Sequence, residues 1–428
     1  MNVKQEPKTF GEVFALLAGL WRDNGALGFL RLAITLGKTP TPAGRWWAAS
    51  VFVAAASALF VLYQLATVGH KAFNTSSDGV NWGMAISSYV YFALMSSGLT
   101  MVASLGTVFG FKQFLPIAKR CIFLAIITLI AAFSILALEI GHPFRMLWSM
   151  PTGLQIHSPM FWMGVFYSID LVLLFIKFYL LWQDKCDTWL SHAVGLPGFV
   201  AVILVSGMLG LVFGSMVMRP MWFGPFTSIY YMLTAALCGA AAIVVTTYMA
   251  YGFDSKRMPA GLRAMATGHD MPMVFATLIG LTLVMFVTRF WVGLWTNQDG
   301  MEGFKVLAKT PLFHIELWVG LVLPFLMMLR RPANTRMRYQ IVAAFLVLGA
   351  MFINRYEFII GGQLVPMFKG LWVNSLEPYV PSITEWSLSI MGFAMVLAMY
   401  AFGDKLFDLS AAPDEVEDLA AKTQLEAA

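Results

Sequence analysis

Six residues able to carry charge, Glu139, His142, Arg145, His157, Asp170 and Lys177, fall in one otherwise apolar stretch, EIGHPFRMLWSMPTGLQIHSPMFWMGVFYSIDLVLLFIK. One apolar run ends at Glu139, Gly141, His142 and Pro143. A link carries His157, and Ser158-Pro159 opens a second run with Asp170 and Lys177 inside it. An ionisable side chain at the middle of a membrane helix costs roughly 3 kcal/mol on insertion scales, so it faces a protein interior or marks a pathway. The chemistry open to this set is proton exchange beside an apolar ligand. His142 can donate a hydrogen bond and trade a proton near neutrality. A carboxyl held away from water, as Asp170 would be, suits a relay. Lys177 lies seven residues further on, on the same helical face. A plainer reading stands beside this one: His142 and Arg145 sit among headgroups, and Asp170 pairs with Lys177 for structure.

The rest of the chain sets the frame for those residues. Of 428 residues, 59% are hydrophobic and 12% charged, and the mean hydropathy is +0.73. Soluble domains carry about 25% charged residues, so the composition predicts an all-α polytopic membrane protein. The net charge of +5 reflects basic loops on one side of a membrane and is no argument for nucleic acid. Three cysteines, Cys121, Cys186 and Cys238, form no CxxC pair. An iron–sulfur cluster needs about four thiolates, so any cluster must come from another chain. No glycine-rich phosphate loop and no GxSxG elbow occurs.

Ten apolar runs approach the ~20 residues that a bilayer core requires: 46–68, 83–109, 118–140, 159–182, 195–217, 226–251, 271–295, 312–329, 339–361 and 383–402. Residues 1–45, with Phe10, Val13, Phe14, Leu17, Leu20 and Trp21 at helical spacing, predict an amphipathic surface segment. Residues 46–402 form the membrane domain, and 403–428 an acidic cytoplasmic tail. Ten spans place both termini on one side. That side collects 20 Lys and Arg against 6 on the other, which predicts cytoplasmic termini and an outward hairpin at 141–158. Tyr89 then lies in span two and Arg289 in span seven. His314 and Glu316 open span eight, and Arg355 and Glu357 lie in span nine. These also read as ordinary interhelical pairs.

The spans repeat. Gly83, Ser87, Tyr89 and Gly98 in span two recur 141 residues later as Gly224, Ser228, Tyr230 and Gly239 in span six. Ser158-Pro159-Met160-Phe161 opens span four as Thr310-Pro311-Leu312-Phe313 opens span eight. Each match joins spans of the same direction, which predicts two parallel four-helix bundles, spans 2–5 and 6–9, flanked by spans 1 and 10.

Several segments together resemble the NrfD-like family of integral membrane subunits. These are ALEIGHPFRM at the end of span three, HSPMFW with Asp170 following in span four, NWG before span two and PYVPSITEW before span ten. The last resembles the family's ten-helix branch. That family supplies membrane subunits of polysulfide-reductase-like, periplasmic-hydrogenase and sulfite-reductase-associated complexes and of alternative complex III. The resemblance covers about residues 46–402. It implies a quinone-binding subunit (menaquinone or ubiquinone) with no haem or metal of its own, passing electrons to or from a periplasmic iron–sulfur, ferredoxin-like subunit and further redox subunits. By resemblance His142 and Asp170 fall where quinone-site residues are expected, with Arg145 near. Tyr89 and Glu139 complete the candidate set, with Asp170, Lys177 and Glu357 as candidate proton relay. Such a chain is the quinone-site part of an oxidoreductase and not catalytic alone, in a bacterial inner membrane. Three other readings remain: a proton channel or secondary transporter using the buried Asp, Glu and Lys; a structural anchor without a quinone site; and a b-type cytochrome ligated through His142, His157 or His314.

Overall fold

The computed structural model describes residues 42–409 apart from 76–78, 184, 186–187, 269, 297, 331–332, 366–378 and 408, together with 11–15, 18–19, 22 and 25. Most of the N-terminal segment, and the acidic tail beyond 409, lie outside the described residues. Among the described residues, ten helices are long and apolar enough to cross a membrane. They are α1 (Pro42–Thr67), α2 (Met84–Thr107), α3 (Leu115–Glu139), α4 (Pro159–Trp182), α5 (Trp189–Gly214), α6 (Phe226–Ala250), α7 (Asp270–Trp295), α8 (Pro311–Leu329), α9 (Met337–Leu364) and α10 (Ile383–Phe407). Proline explains several starts. Pro159 and Pro311 sit in the first turn of α4 and α8, where a missing N–H costs nothing. At 1.5 Å per residue the helices other than α8, at 24 to 28 residues, exceed the ~30 Å hydrocarbon thickness, and α8, at 19 residues, comes close to it.

Helices α2–α5 make one bundle and α6–α9 a second, as the repeat predicts. Helices α2 and α6 pack on each other at the centre, and α1 packs on α10 at the edge. The central crossing rests on the repeat itself. Gly98 of α2 lies on the backbone of Ala235 and Gly239 of α6, and Gly239 lies back on Gly98 and Leu99. Small residues at a membrane-helix crossing let backbones approach and gain dispersion contacts. Gly98 and Gly239 occupy equivalent places in the two sequence repeats, so one glycine from each half meets the other at this crossing. Helix α1 instead turns Phe52, Leu59 and Tyr63 outward, exposed on the surface that faces lipid.

Three departures from the sequence reading matter for the site. The link after α3 contains a further helix, Pro143–Gly153, with His142 as its N-cap residue. Pro143 thus ends one helix and begins another. In α8 the stretch Ile315–Val322 is π-helical. Pro324, which follows it, lacks an N–H and would crowd the carbonyl of Gly320, and a π turn relieves such a conflict. The widened turn leaves His314 exposed and turns Glu316 fully inward.

The third departure is long-range. Ser382 and Glu385 form a reciprocal capping box at the start of α10: Glu385 N–H donates to Ser382 Oγ (3.2 Å), and Ser382 N–H to Glu385 Oε2 (2.8 Å). The fully buried Glu385 carboxylate also accepts from Tyr379 O–H (2.6 Å), Met84 N–H (3.2 Å) and Asn74 N–H (3.3 Å). It therefore caps α2 as well as α10. Gln363, near the end of α9, accepts from the N–H groups of Asn81 and Trp82 (2.9 and 3.0 Å). The Asn81-Trp82-Gly83 turn is clasped from two sides, and the entrance to α2 is fixed relative to α9 and α10.

Candidate functional site

The centre of the first bundle is one face of α4. Met163, Tyr167, Asp170, Leu174 and Lys177 recur at helical spacing, and all but the half-buried Met163 are buried. The face begins beneath the aromatic group of Tyr89 and Phe133. Tyr89 O–H points at Met163 Sδ (3.9 Å), its ring lies 6.4 Å from Phe133, and Phe133 meets Tyr167 edge-on at 5.5 Å. Tyr167 Oη has no hydrogen-bond partner among the described residues.

Asp170 is the anomaly of this face. Its side chain is 1% exposed, and neither carboxylate oxygen has a hydrogen-bond partner among the described residues. A buried charged or polar group without partners is costly, and natural structures retain few of them. Asp170 borders a cavity of about 20 Å³ that it shares with Thr100, Ser104 and Thr107 of α2, Lys177 of α4 and Gly195 of α5. That space admits about one water molecule. The three hydroxyls stand at positions i, i+4 and i+7 of α2. Each donates to its own helix, to Ser96, Thr100 and Ala103 carbonyls, which leaves its lone pairs toward the cavity. Lys177 closes the track, with Nζ donating to Ser191 O (3.0 Å) and Oγ (2.9 Å) at the start of α5. The expected Asp170–Lys177 pairing is thus replaced by a polar track between the two.

The residues after α3 form a separate feature. His142 and Arg145 are exposed and, with Gly141 and Phe144, line a surface hollow of about 240 Å³. Gly141 has a positive φ of 76°, and the His70 imidazole occupies the space above it. Glu139 is half-buried, within electrostatic range of Glu385. The structure therefore groups the candidates in two sets at different depths. Tyr89, Asp170 and Lys177 line the bundle interior; His142 and Arg145 lie at its mouth, beside Glu139.

Glu357 belongs to neither. It lies in the second bundle, in a polar cluster where α6–α9 meet. Glu357 Oε1 accepts from Thr310 O–H (2.9 Å). Glu316 Oε1 and Tyr230 Oη both accept from the Asn354 amide (2.7 and 2.6 Å). Arg289 lies 4.4 Å from the Phe358 ring centre and 5.2 Å from that of Phe304. Arg355 sits over Tyr231 (4.7 Å) and donates to Asn354 Oδ1 (3.2 Å) and Thr234 Oγ1. Neither arginine forms an ion pair with a described residue, so the simple bundle pairs expected of Arg289, Arg355 and Glu357 are absent there. Cation–π contact and neutral acceptors hold the guanidinium groups instead. One oxygen each of Glu316 and Glu357 and one nitrogen of Arg289 lack partners among the described residues. Tyr230 is the repeat counterpart of Tyr89. The same position is apolar-lined in the first bundle and ionisable in the second. Asn354 and the inward turn of Glu316 were not legible in the sequence as site features.

Among the described residues no three His, Cys, Asp or Glu side chains converge where a metal could bind. His142, His157 and His314 are all exposed at helix ends.

The comparison with known proteins decides the family. A family model described as polysulphide reductase, NrfD matches residues 72–367. The chain belongs to the polysulphide reductase NrfD family. The match runs from before α2 to just past α9, so it covers both NrfD bundles and leaves α1 and α10 outside. Two curated relatives extend further. The C subunit of the selenate reductase of Mesobacillus selenatarsenatis is 24% identical over 371 residues, covering 75% of this chain and 84% of the relative. The Hdr-like menaquinol oxidoreductase integral membrane subunit of Archaeoglobus fulgidus is 25% identical over 406 residues, covering 88% and 97%. The likeness is thus to subunits of multi-subunit redox complexes, one of them named as an integral membrane subunit.

Proposed function

We propose that this chain is the quinone-interacting membrane subunit of such a complex, moving electrons between the quinone pool and an iron–sulfur subunit docked over the His142 end. The observation that carries the reading is the buried, unpartnered Asp170 carboxyl on a face of α4 that begins beneath Tyr89. The relative named as a menaquinol oxidoreductase subunit supports it. Quinone reduction takes two electrons and two protons, and quinol oxidation returns them. The site therefore needs room for a ring, a hydrogen-bond donor to a carbonyl and groups that trade protons. The two depths divide that work. The hollow at His142 has room for a ring, whereas the cavity at Asp170 holds about one water. His142 contacts the quinone carbonyl, and Arg145 holds the hairpin or the partner surface. Asp170, the α2 hydroxyls and Lys177 pass protons. With three cysteines scattered through the chain, the electron-carrying cluster belongs to the partner.

The direct test is His142→Ala in the assembled complex. We expect quinone-linked turnover to fall by about a hundredfold, the low end for a lost proton-exchanging group, and bound quinone to be lost with it. The iron–sulfur partner should still take electrons from an artificial donor. Wild-type turnover in that variant would remove His142 from the site and favour a structural anchor.

The same reading places both termini in the cytoplasm of a bacterial cell with the His142 hairpin outward, on the charge bias of the loops. Thr152 is exposed in that hairpin. A cysteine placed there should react with an impermeant thiol reagent in cells whose outer membrane alone is permeabilised. Labelling only after inner-membrane lysis would put the partner in the cytoplasm.

A second reading draws on the Glu316–Asn354–Arg289–Glu357 cluster, whose unpartnered polar atoms suit a proton path. It adds ion movement to the quinone site without replacing it.

A further inference from the structure

At the end of the helices opposite His142, the start of α9, the end of α8 and the connection between α6 and α7 enclose a groove of about 880 Å³. That is within the ~300–1,000 Å³ usual for ligand sites. Arg336 and Arg338 stand at its rim, both exposed, and neither forms an ion pair with a described residue. Ser255, Thr267 and Thr335 bring hydroxyls to the same space. The floor is apolar, with Met327 of α8 and Val342 of α9. The groove also continues. Arg338, Val342 and Phe345 share one face of α9, and Val342 and Phe345 are 49% and 55% exposed. Leu326 and Leu329 of α8 are exposed as well, each at 57%. Cations, hydroxyls and an apolar stripe therefore share one groove, and these are the three kinds of group that a phospholipid's phosphate, glycerol oxygens and acyl chains would meet.

We propose that this groove binds an anionic phospholipid, its phosphate between Arg336 and Arg338 and its acyl chains along Val342 and Phe345. The chemistry fits on both sides. Guanidinium groups pair well with phosphate oxygens. The α9 macrodipole adds positive potential at the helix start, where the arginines stand. A basic pocket between helices at a membrane surface, opening onto an apolar face, is suited to lipid headgroups. A soluble phosphate ester would use the cations and leave the stripe idle, while a protein partner would have no need of the enclosed hydroxyls. The site is independent of the quinone reading, because it lies at the other end of the second bundle.

The test uses the full chain in phosphatidylcholine nanodiscs, titrated with phosphatidylglycerol and read by native mass spectrometry for retained lipid. Wild type should select phosphatidylglycerol, and excess phosphatidylcholine or inorganic phosphate should not displace it. Arg336→Ala with Arg338→Ala should weaken retention roughly thirtyfold, at a factor of about five for each basic residue near an anionic headgroup. Lys112→Ala with Lys185→Ala removes the same charge from exposed positions in the α2–α3 and α4–α5 connections, at the same end of the helices, and should leave retention unchanged. Val342→Ser should also weaken lipid retention, because it breaks the apolar stripe while both arginines stay in place. Equal loss in both double variants would mean diffuse attraction and overturn the site. Displacement by inorganic phosphate would make it a free-anion site and overturn the lipid assignment. Both wild-type competitions stand even if a variant fails to fold.

Discussion

Asp170→Asn should separate stability from turnover. In the assembled complex we expect quinone-linked turnover to fall by about a hundredfold or more, the range in which a lost proton-transfer group shows itself. The thermal midpoint should stay the same or rise. The reasoning comes from what Asp170 lacks. Its oxygens accept no hydrogen bond from a described group, so the amide breaks no such bond, and Asn fills almost the same volume. A buried carboxyl carries a desolvation cost that a neutral amide reduces. A residue kept for packing or pairing would behave the other way round: its loss would destabilise the chain and spare the chemistry. Asn cannot exchange a proton with the water-sized cavity beside Thr100 and Lys177, so the relay stops while the ring site at His142 stays intact. Bound quinone should therefore persist in Asp170→Asn and disappear in His142→Ala. Normal turnover in the Asn variant, or a complex that no longer assembles, would end the relay assignment.

The sequence and the structure agree where local physics dominates and diverge where distant elements meet. Helix α4 runs over Pro159–Trp182, the limits that an apolar run opened by Ser158-Pro159 predicts. The other spans agree to within a few residues at most ends, because hydrophobic length and proline are local signals. The repeat was legible as well, since Gly98 and Gly239 recur at one spacing and then meet. Three features were not. The Ser382–Glu385 capping box is visible in the sequence, but its partner Met84 is 301 residues away, and no periodicity links the two. Glu316 reads as a helix-end residue until the π turn of α8 rotates it into the core; an α-helical register misplaces it. The third was the room beside each residue. Position along the spans already puts His142 near the surface and Asp170 near the midplane, but only the three-dimensional arrangement gives the hollow of about 240 Å³ at His142 and the water-sized cavity at Asp170.

Gly98→Ala tests the architecture that holds both bundles in place. We expect it to lower stability by about 3 kcal/mol, at the upper end for forcing extra volume into a packed interior, with Gly98→Leu preventing assembly. A methyl at Gly98 would fall on the Ala235 carbonyl and near the Gly239 N–H; a methyl at Gly239 would fall on Gly98 and Leu99. Those contacts are backbone, so no side chain can rotate away and α2 must withdraw from α6. The withdrawal shifts Thr100, Ser104 and Thr107, which lie about half a turn to two and a half turns further along α2, relative to Asp170. Turnover should therefore suffer even in the fraction that assembles. Because one separation of the helices makes room for either methyl, Gly98→Ala with Gly239→Ala should cost well under the sum of the two single changes, as expected for residues that share a contact. Gly349→Ala is the control. It is an exposed helical glycine with nothing within 4 Å of the added carbon, and helix propensity alone should make it neutral or stabilising. The measurements are the thermal midpoint and the yield of monodisperse protein in detergent for all five variants. Additive losses at Gly98 and Gly239, or a Gly98→Ala protein as stable as wild type, would mean that the bundles are not held at this crossing.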